Sequence, residues 1–185
     1  MQIKIIGMKA VPMSHFFTQL RCGVRALLSA LLSLGLAISL TACSGSQAAP
    51  ESTFVLLDGS KKSTADFKGK VTLVNFWATS CVTCVAEMPK LIATHQKYAR
   101  QGYDTVAVAM SYDPPSYVVN YTETRQLPFK VAIDNTGSVA KAWGDVALTP
   151  TTYLLNKRGE IVKQYVGEPD FAALHQLIEK LLAET

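Results

Sequence analysis

A chain of 185 residues with 49% hydrophobic content is long enough for one domain with a packed core. Its formal charge of +4 comes from 18 basic and 14 acidic residues, but Lys4, Lys9, Arg21 and Arg25 all precede Cys43, where no acidic residue stands. Without these four the charges balance, which removes the basic surface that a nucleic acid or an acidic partner would need.

Arg21 and Arg25 lead into the apolar residues 26–40, followed by small residues before Cys43. A positive region, a short apolar region and a small-residue cleavage point make an export signal over residues 1–42. Ser29, Ser33, Gly35 and Ser39 interrupt an apolar run that is shorter than the roughly 20 residues needed to span a bilayer. Leu40-Thr41-Ala42-Cys43 resembles the lipobox of bacterial lipoproteins, which implies that Cys43 is lipidated and heads the mature chain. Residues 43–53 then read as a flexible tether of small and polar residues, about 35 Å at full extension.

Residues 54–185 read as one domain. A short strand at 54–57 and the turn Asp58-Gly59-Ser60 open an N-terminal hairpin. A buried strand follows at 71–77. The next helix buries Met88, Leu91, Ile92, His95 and Tyr98 at helical spacing, is kinked by Pro89 and ends at Gly102. A second buried strand covers 104–110. Asp113-Pro114-Pro115 starts a helix over 116–126 that reads as an insertion between core units. A short strand at 131–134 and a short helix through Trp143 come next. Strands at 151–156 and 161–166 form a hairpin around Lys157-Arg158-Gly159, and a helix opened by Pro169 or Asp170 runs to about residue 183. This order predicts an α/β fold with a mixed sheet between helices.

Chemistry concentrates where the strand at 71–77 meets the first helix. Cys81-Val82-Thr83-Cys84 places two thiols at a helix start, where the N–H groups and positive helix end stabilise a thiolate and lower its pKa below the free value of about 8.5. With Cys22 in the signal and Cys43 lipidated, Cys81 and Cys84 are the remaining thiols of a chain exported to where disulfides persist. A bridge closing so short a loop adds little stability, so redox exchange is the stronger reason for the pair. A static disulfide and half of a zinc site are the alternatives. Structural zinc takes four ligands, and His95 and His175 stand at no finger-like spacing. Glu87, three residues after Cys84 on the same helix face, is either a proton relay or a first-turn acid favoured by the helix end.

Phe76-Trp77-Ala78, Cys81-x-x-Cys84 and the distant Thr149-Pro150 resemble the thioredoxin superfamily. Cys81-x-x-Cys84-x-x-Glu87-Met88-Pro89, the helical insertion at about 114–127 and the lipoprotein signal resemble the TlpA/ResA group of membrane-tethered, extracytoplasmic thiol–disulfide oxidoreductases. The resemblance covers 54–185 and implies a thioredoxin-like fold: a mixed central sheet flanked by helices, with a helical insertion and an N-terminal hairpin. It implies that Cys81 attacks a partner disulfide and that Cys84 resolves the mixed disulfide. It also implies that Pro150 is cis and lies beside the cysteines, with the Thr149 backbone offered to an extended substrate. Phe76 and Tyr98 read as packing residues; Trp77, also a packing residue by type, is the aromatic best placed to line a partner groove. Asn75 stands where the familiar pattern has a buried acid, Ser80 replaces a tryptophan, and Val82-Thr83 replaces Gly-Pro. These departures change the balance of thiolate and disulfide.

The expected function is reduction of disulfides in exported proteins, apocytochrome c among them, by a monomer that needs no cofactor, metal or nucleic acid. Electrons would come from a DsbD- or CcdA-like membrane donor. The expected location is extracytoplasmic, lipid-anchored to a bacterial membrane, on the periplasmic face in a Gram-negative cell. Ser44 after the lipidated cysteine permits outer-membrane sorting there. Two alternatives stand beside this reading. A redoxin-type thiol peroxidase would carry Pro-x-x-x-Thr/Ser-x-x-Cys, but Val74 holds the proline position. A Sco-like copper module would place three residues between its cysteines and add a histidine.

Overall fold

The computed structural model describes residues 47–184. The export signal at 1–42, Cys43 and the first part of the expected tether lie outside the described residues. Among the described residues there are eight strands: β1 (Gln47–Ala48), β2 (Thr53–Val55), β3 (Lys61–Ser63), β4 (Val71–Trp77), β5 (Tyr103–Ala109), β6 (Lys130–Ile133), β7 (Thr151–Leu155) and β8 (Glu160–Val166). Four α-helices accompany them: α1 (Val82–Tyr98), α2 (Pro115–Arg125), α3 (Ser138–Ala142) and α4 (Phe171–Ala183).

Six strands form one mixed sheet in the order β1-β8-β7-β4-β5-β6, and β2 pairs with β3 as the N-terminal hairpin. β4, β5 and β6 are parallel, whereas β7 and β8 run antiparallel to their neighbours. Every residue of β4 and β5 is buried, as expected for parallel strands covered on both faces. Side-chain alternation divides them. Leu73 and Trp77 join Met88 and Leu91 of α1 and Leu174 and Ile178 of α4 in one core. Val74 and Phe76 join Phe54, Trp143 and Tyr153 in a second core on the other face. α1 continues through Pro89, which sits on an exposed position and removes one backbone donor. Asp170 caps α4 by accepting from the Ala172 and Ala173 N–H groups at 2.9 and 3.3 Å.

The N-terminal boundary is a correction. Residues 47–53 were expected to belong to the tether, yet Gln47 and Ala48 pair with Ile161 and Glu160 of β8. Ala49 N–H donates to the Gly159 carbonyl at 3.0 Å, and Ala49 is buried. Thr64 Oγ1 accepts from Ser52 N–H at 3.0 Å and donates to the Pro50 carbonyl at 2.7 Å. The outer main-chain groups at the start of β8 needed partners, and this segment supplies them at Gly159, Glu160 and Ile161. The first hairpin strand is also shorter than expected: Leu56 leaves it to make a single bridge to Ala132 of β6.

Leu154, fully buried on β7 in the α1-side core, tests this packing. Leu154→Ala should lower the unfolding free energy by about 2–5 kcal/mol, read from the shift of the urea midpoint.

Candidate functional site

β4 ends at Trp77, three residues turn the chain, and Cys81 becomes the N-cap of α1. Its Sγ accepts from the Cys84 N–H at 3.1 Å, so one of the free donors in the first turn of the helix points at sulfur. Cys81 and Cys84 are joined by a disulfide with Cα atoms 5.2 Å apart. The two sulfurs differ in access: Cys81 is partly exposed, whereas Cys84 is sealed on the inner face of α1 with Met88 and Leu91. An attacking partner therefore meets Cys81.

The second component arrives from far along the chain. Thr149–Pro150 is a cis peptide bond, and the Thr149 carbonyl oxygen lies 3.5 Å from Cys81 Sγ. Pro150 is buried, and its carbonyl accepts from Gly167 N–H at 2.8 Å. Thr151 Oγ1 donates to the Leu148 carbonyl at 2.7 Å, which stiffens the turn. Exposed apolar side chains surround the pair, with Val82 84% and Leu148 66% accessible.

Beneath the cysteines, Glu87 is fully buried one turn after Cys84. Asn75 Nδ2 donates to Glu87 Oε1 and to Thr152 Oγ1, both at 2.9 Å. Burial raises the Glu87 pKa to about 7, outweighing the lowering by the Asn75 hydrogen bond; Glu168 raises it further and Lys90 lowers it. Lys90 Nζ is engaged by Glu168 Oε1 at 2.5 Å. Near neutrality Glu87 is therefore divided between acid and carboxylate, the condition for both giving and taking a proton. Asn75, which does not titrate, orients it.

Cys81, Cys84, Glu87, Thr149 and Pro150 are thus brought together at one end of the sheet. Trp77 does not join their surface, which is a second correction. It is fully buried, with its ring 5.2 Å from that of Tyr121 on α2. Position 77 faces the α1 side of the sheet, so the indole supports the site from within. The two described histidines bond within the fold: His95 Nδ1 lies 3.1 Å from Thr105 Oγ1, and His175 Nε2 lies 2.9 Å from Thr94 Oγ1. Sequence reasoning missed two neighbours. Tyr112, 57% exposed, places its hydroxyl 3.3 Å from Thr149 Oγ1. Asp113, expected only as a helix start, is buried and accepts from Thr79 N–H at 2.6 Å and Thr79 Oγ1 at 2.5 Å. The available signal was their place after a parallel strand, where loops at carboxyl ends meet.

The family model described as Redoxin matches residues 44–178. The chain belongs to the redoxin family. Among its relatives, the thiol-disulfide oxidoreductase ResA of Bacillus thuringiensis subsp. konkukian is 33% identical over 133 residues, covering 72% of this chain and 76% of the relative. ResA of Geobacillus thermodenitrificans is 31% identical over 141 residues, covering 76% and 80%. Of the solved structures, a candidate thioredoxin from Neisseria meningitidis is 42% identical with a TM-score of 0.70, covering 76% of this chain and 93% of that one. A thioredoxin-family thiol:disulfide interchange protein from Chlorobium tepidum is 26% identical with a TM-score of 0.69, covering 77% and 100%. This redoxin is accordingly a TlpA/ResA-like member of the thioredoxin superfamily and a disulfide oxidoreductase.

Glu87 gives the redoxin a measurable pH signature. Its pKa lies near 4.5 unfolded and near 7 folded, so the folded state binds the proton more tightly. Its contribution falls as pH rises through that window, by about 3 kcal/mol once pH exceeds 7. Glu87→Gln should remove this slope. Urea unfolding of both proteins at pH 5 and pH 8 should show the variant losing about 2.5 kcal/mol less between the two.

Proposed function

We propose that this redoxin reduces disulfides of exported proteins outside the cytoplasm, anchored to a bacterial membrane through lipid on Cys43. The observation that carries the reading is the asymmetric pair: a reachable Cys81 at a helix N-terminus against a cis-proline loop, with Cys84 and Glu87 sealed beneath it.

In the reduced protein, the Cys81 thiolate attacks one sulfur of the partner disulfide, and the other sulfur leaves as a thiolate that takes a proton from solvent. The partner strand lies along Thr149, whose carbonyl stands 3.5 Å from the reacting sulfur. Glu87, as the carboxylate, accepts the Cys84 proton through the buried interior. Cys84 then attacks Cys81 Sγ, and the partner's second sulfur departs. Two electrons have moved to the partner, and Cys81–Cys84 is left as the bridge seen in the structure. A DsbD- or CcdA-like membrane protein returns two electrons by the same exchange in reverse.

The ResA relatives, named for thiol–disulfide oxidoreduction, support the chemistry. The lipobox-like Leu40-Thr41-Ala42-Cys43 supports the location. The protein acts as a monomer, since one chain supplies both thiols, the cis-proline loop and the buried acid.

Equilibration with a dithiothreitol redox buffer should place the Cys81–Cys84 couple near the thioredoxin value of about −270 mV and far from the about −120 mV of a strong oxidant. Cys84→Ser should accumulate mixed disulfides on Cys81 when expressed in a bacterium, identified by mass spectrometry. A potential at the oxidising end, or trapping that leaves Cys81 unmodified, would overturn the reductase assignment.

A further inference from the structure

Two loops wall the surface around Cys81: residues 78–80, leading into α1, and residues 148–150, leading into β7. A third loop, residues 110–114 after β5, touches both. Its base is pinned to the end of β4, where Met110 N–H donates to the Trp77 carbonyl at 3.0 Å. The chain then turns, with Asp113 N–H donating to the Met110 carbonyl at 3.0 Å. From this turn two consecutive side chains diverge. The Asp113 carboxylate, 3% exposed, takes both the N–H and the hydroxyl of Thr79. The Tyr112 hydroxyl reaches the other wall at Thr149 Oγ1.

A buried carboxylate is costly unless charge-assisted hydrogen bonds satisfy it. Here both of its oxygens are used on a single residue of the loop that presents Cys81. Cys81 Sγ and the Thr149 carbonyl, 3.5 Å apart, belong to loops far apart in sequence, and Tyr112–Asp113 ties those loops together at the surface.

We propose that Tyr112 and Asp113 are positioning residues: a brace that fixes the separation of the Cys81 loop from the Thr149 loop, and with it the fit of an extended disulfide-bearing chain. The proposal rests on the thiol-exchange reading above. An extended partner must lie along Thr149 and present its sulfur to Cys81 at once, and a misplacement of about 1 Å can cost about a hundredfold in rate. A small disulfide needs only the sulfur, so the brace acts selectively on polypeptide partners.

The test uses the full chain with dithiothreitol as reductant and two oxidised probes: an extended peptide carrying an interchain disulfide, and hydroxyethyl disulfide. Asp113→Ala and Tyr112→Phe should each raise KM for the peptide about tenfold with kcat within about threefold, while hydroxyethyl disulfide turnover changes far less. Asp113→Asn, which keeps a partner for each Thr79 group, should recover most of the Asp113→Ala loss. An equal fall with both probes, an Asp113→Asn variant as impaired as Asp113→Ala, or unchanged peptide kinetics would overturn the brace. If Asp113→Ala fails to fold by circular dichroism, Thr79→Val and Tyr112→Phe carry the same comparison. A native chain that exchanges with neither probe would instead overturn the thiol-exchange reading itself.

Discussion

A carboxyl group shut away from water beside a disulfide is the constraint around which this structure is arranged. Glu87 has no access to solvent, and a charge so placed is expensive unless neutralised or hydrogen-bonded. The amide of Asn75 donates the hydrogen bond, and Asn75 is itself held by Thr152 of the neighbouring strand. Three elements therefore meet beneath Cys84: β4 through Asn75, β7 through Thr152 and α1 through Glu87. A fully ionised buried pair would lock the proton in place, and an apolar filling would provide none. An acid with an amide partner leaves the proton transferable at neutral pH.

The two faces of the sheet divide the labour. On the α1 side, the sheet packs against the helix that carries both cysteines, and Trp77 and Tyr121 link that packing to the inserted α2. On the other side, Phe54, Phe67, Phe76, Trp143 and Tyr153 form a chain of tilted and edge-on aromatic contacts, a geometry that adds specificity to area burial. Asp104 at the start of β5 bonds Lys130 of β6 and lies near Lys70 just before β4. Its pKa is lowered: burial pushes the other way, but the lysines and a backbone N–H outweigh it. The carboxylate of Asp104 is thus fixed as a charge, whereas Glu87 near the cysteines stays titratable.

What could be read in the sequence follows the range of each interaction. Cys81 and Cys84 are local to one helical turn, the 3-10 turn 99–101 that extends α1 ends at Gly102 in the left-handed region at φ +92°, and Thr149–Pro150 is a dipeptide with a known structural habit. These were legible. The Thr79–Asp113 bonds span 34 residues and the Tyr112–Thr149 contact spans 37, and no local pattern encodes either. Trp77 was misplaced for a different reason. A packing residue by type, it stood close enough to the cysteines in sequence to be the best candidate for lining a groove, but strand alternation turns it inward, and only the packing of α2 shows that the space there is filled. Asn75 was recognisable as a departure from the family pattern, while its role as donor to Glu87 needed the register of α1 over β4.

The N-terminal segment, displaced from the expected tether into the fold, has one further consequence. Residues 47–49 cover the outer side of β8, and a few residues later Leu56 and Leu57 reach β6 at the opposite margin, where Leu57 N–H donates to the Val131 carbonyl at 3.1 Å. One stretch of eleven residues, 47–57, thereby touches both ends of the sheet, as a two-residue strand beside β8 and as a single bridge on β6. Exposed strand margins template pairing with foreign chains and lead to aggregation. In a disulfide oxidoreductase, these contacts shorten the strand edge open to a foreign chain and leave the thiols at a separate end of the sheet.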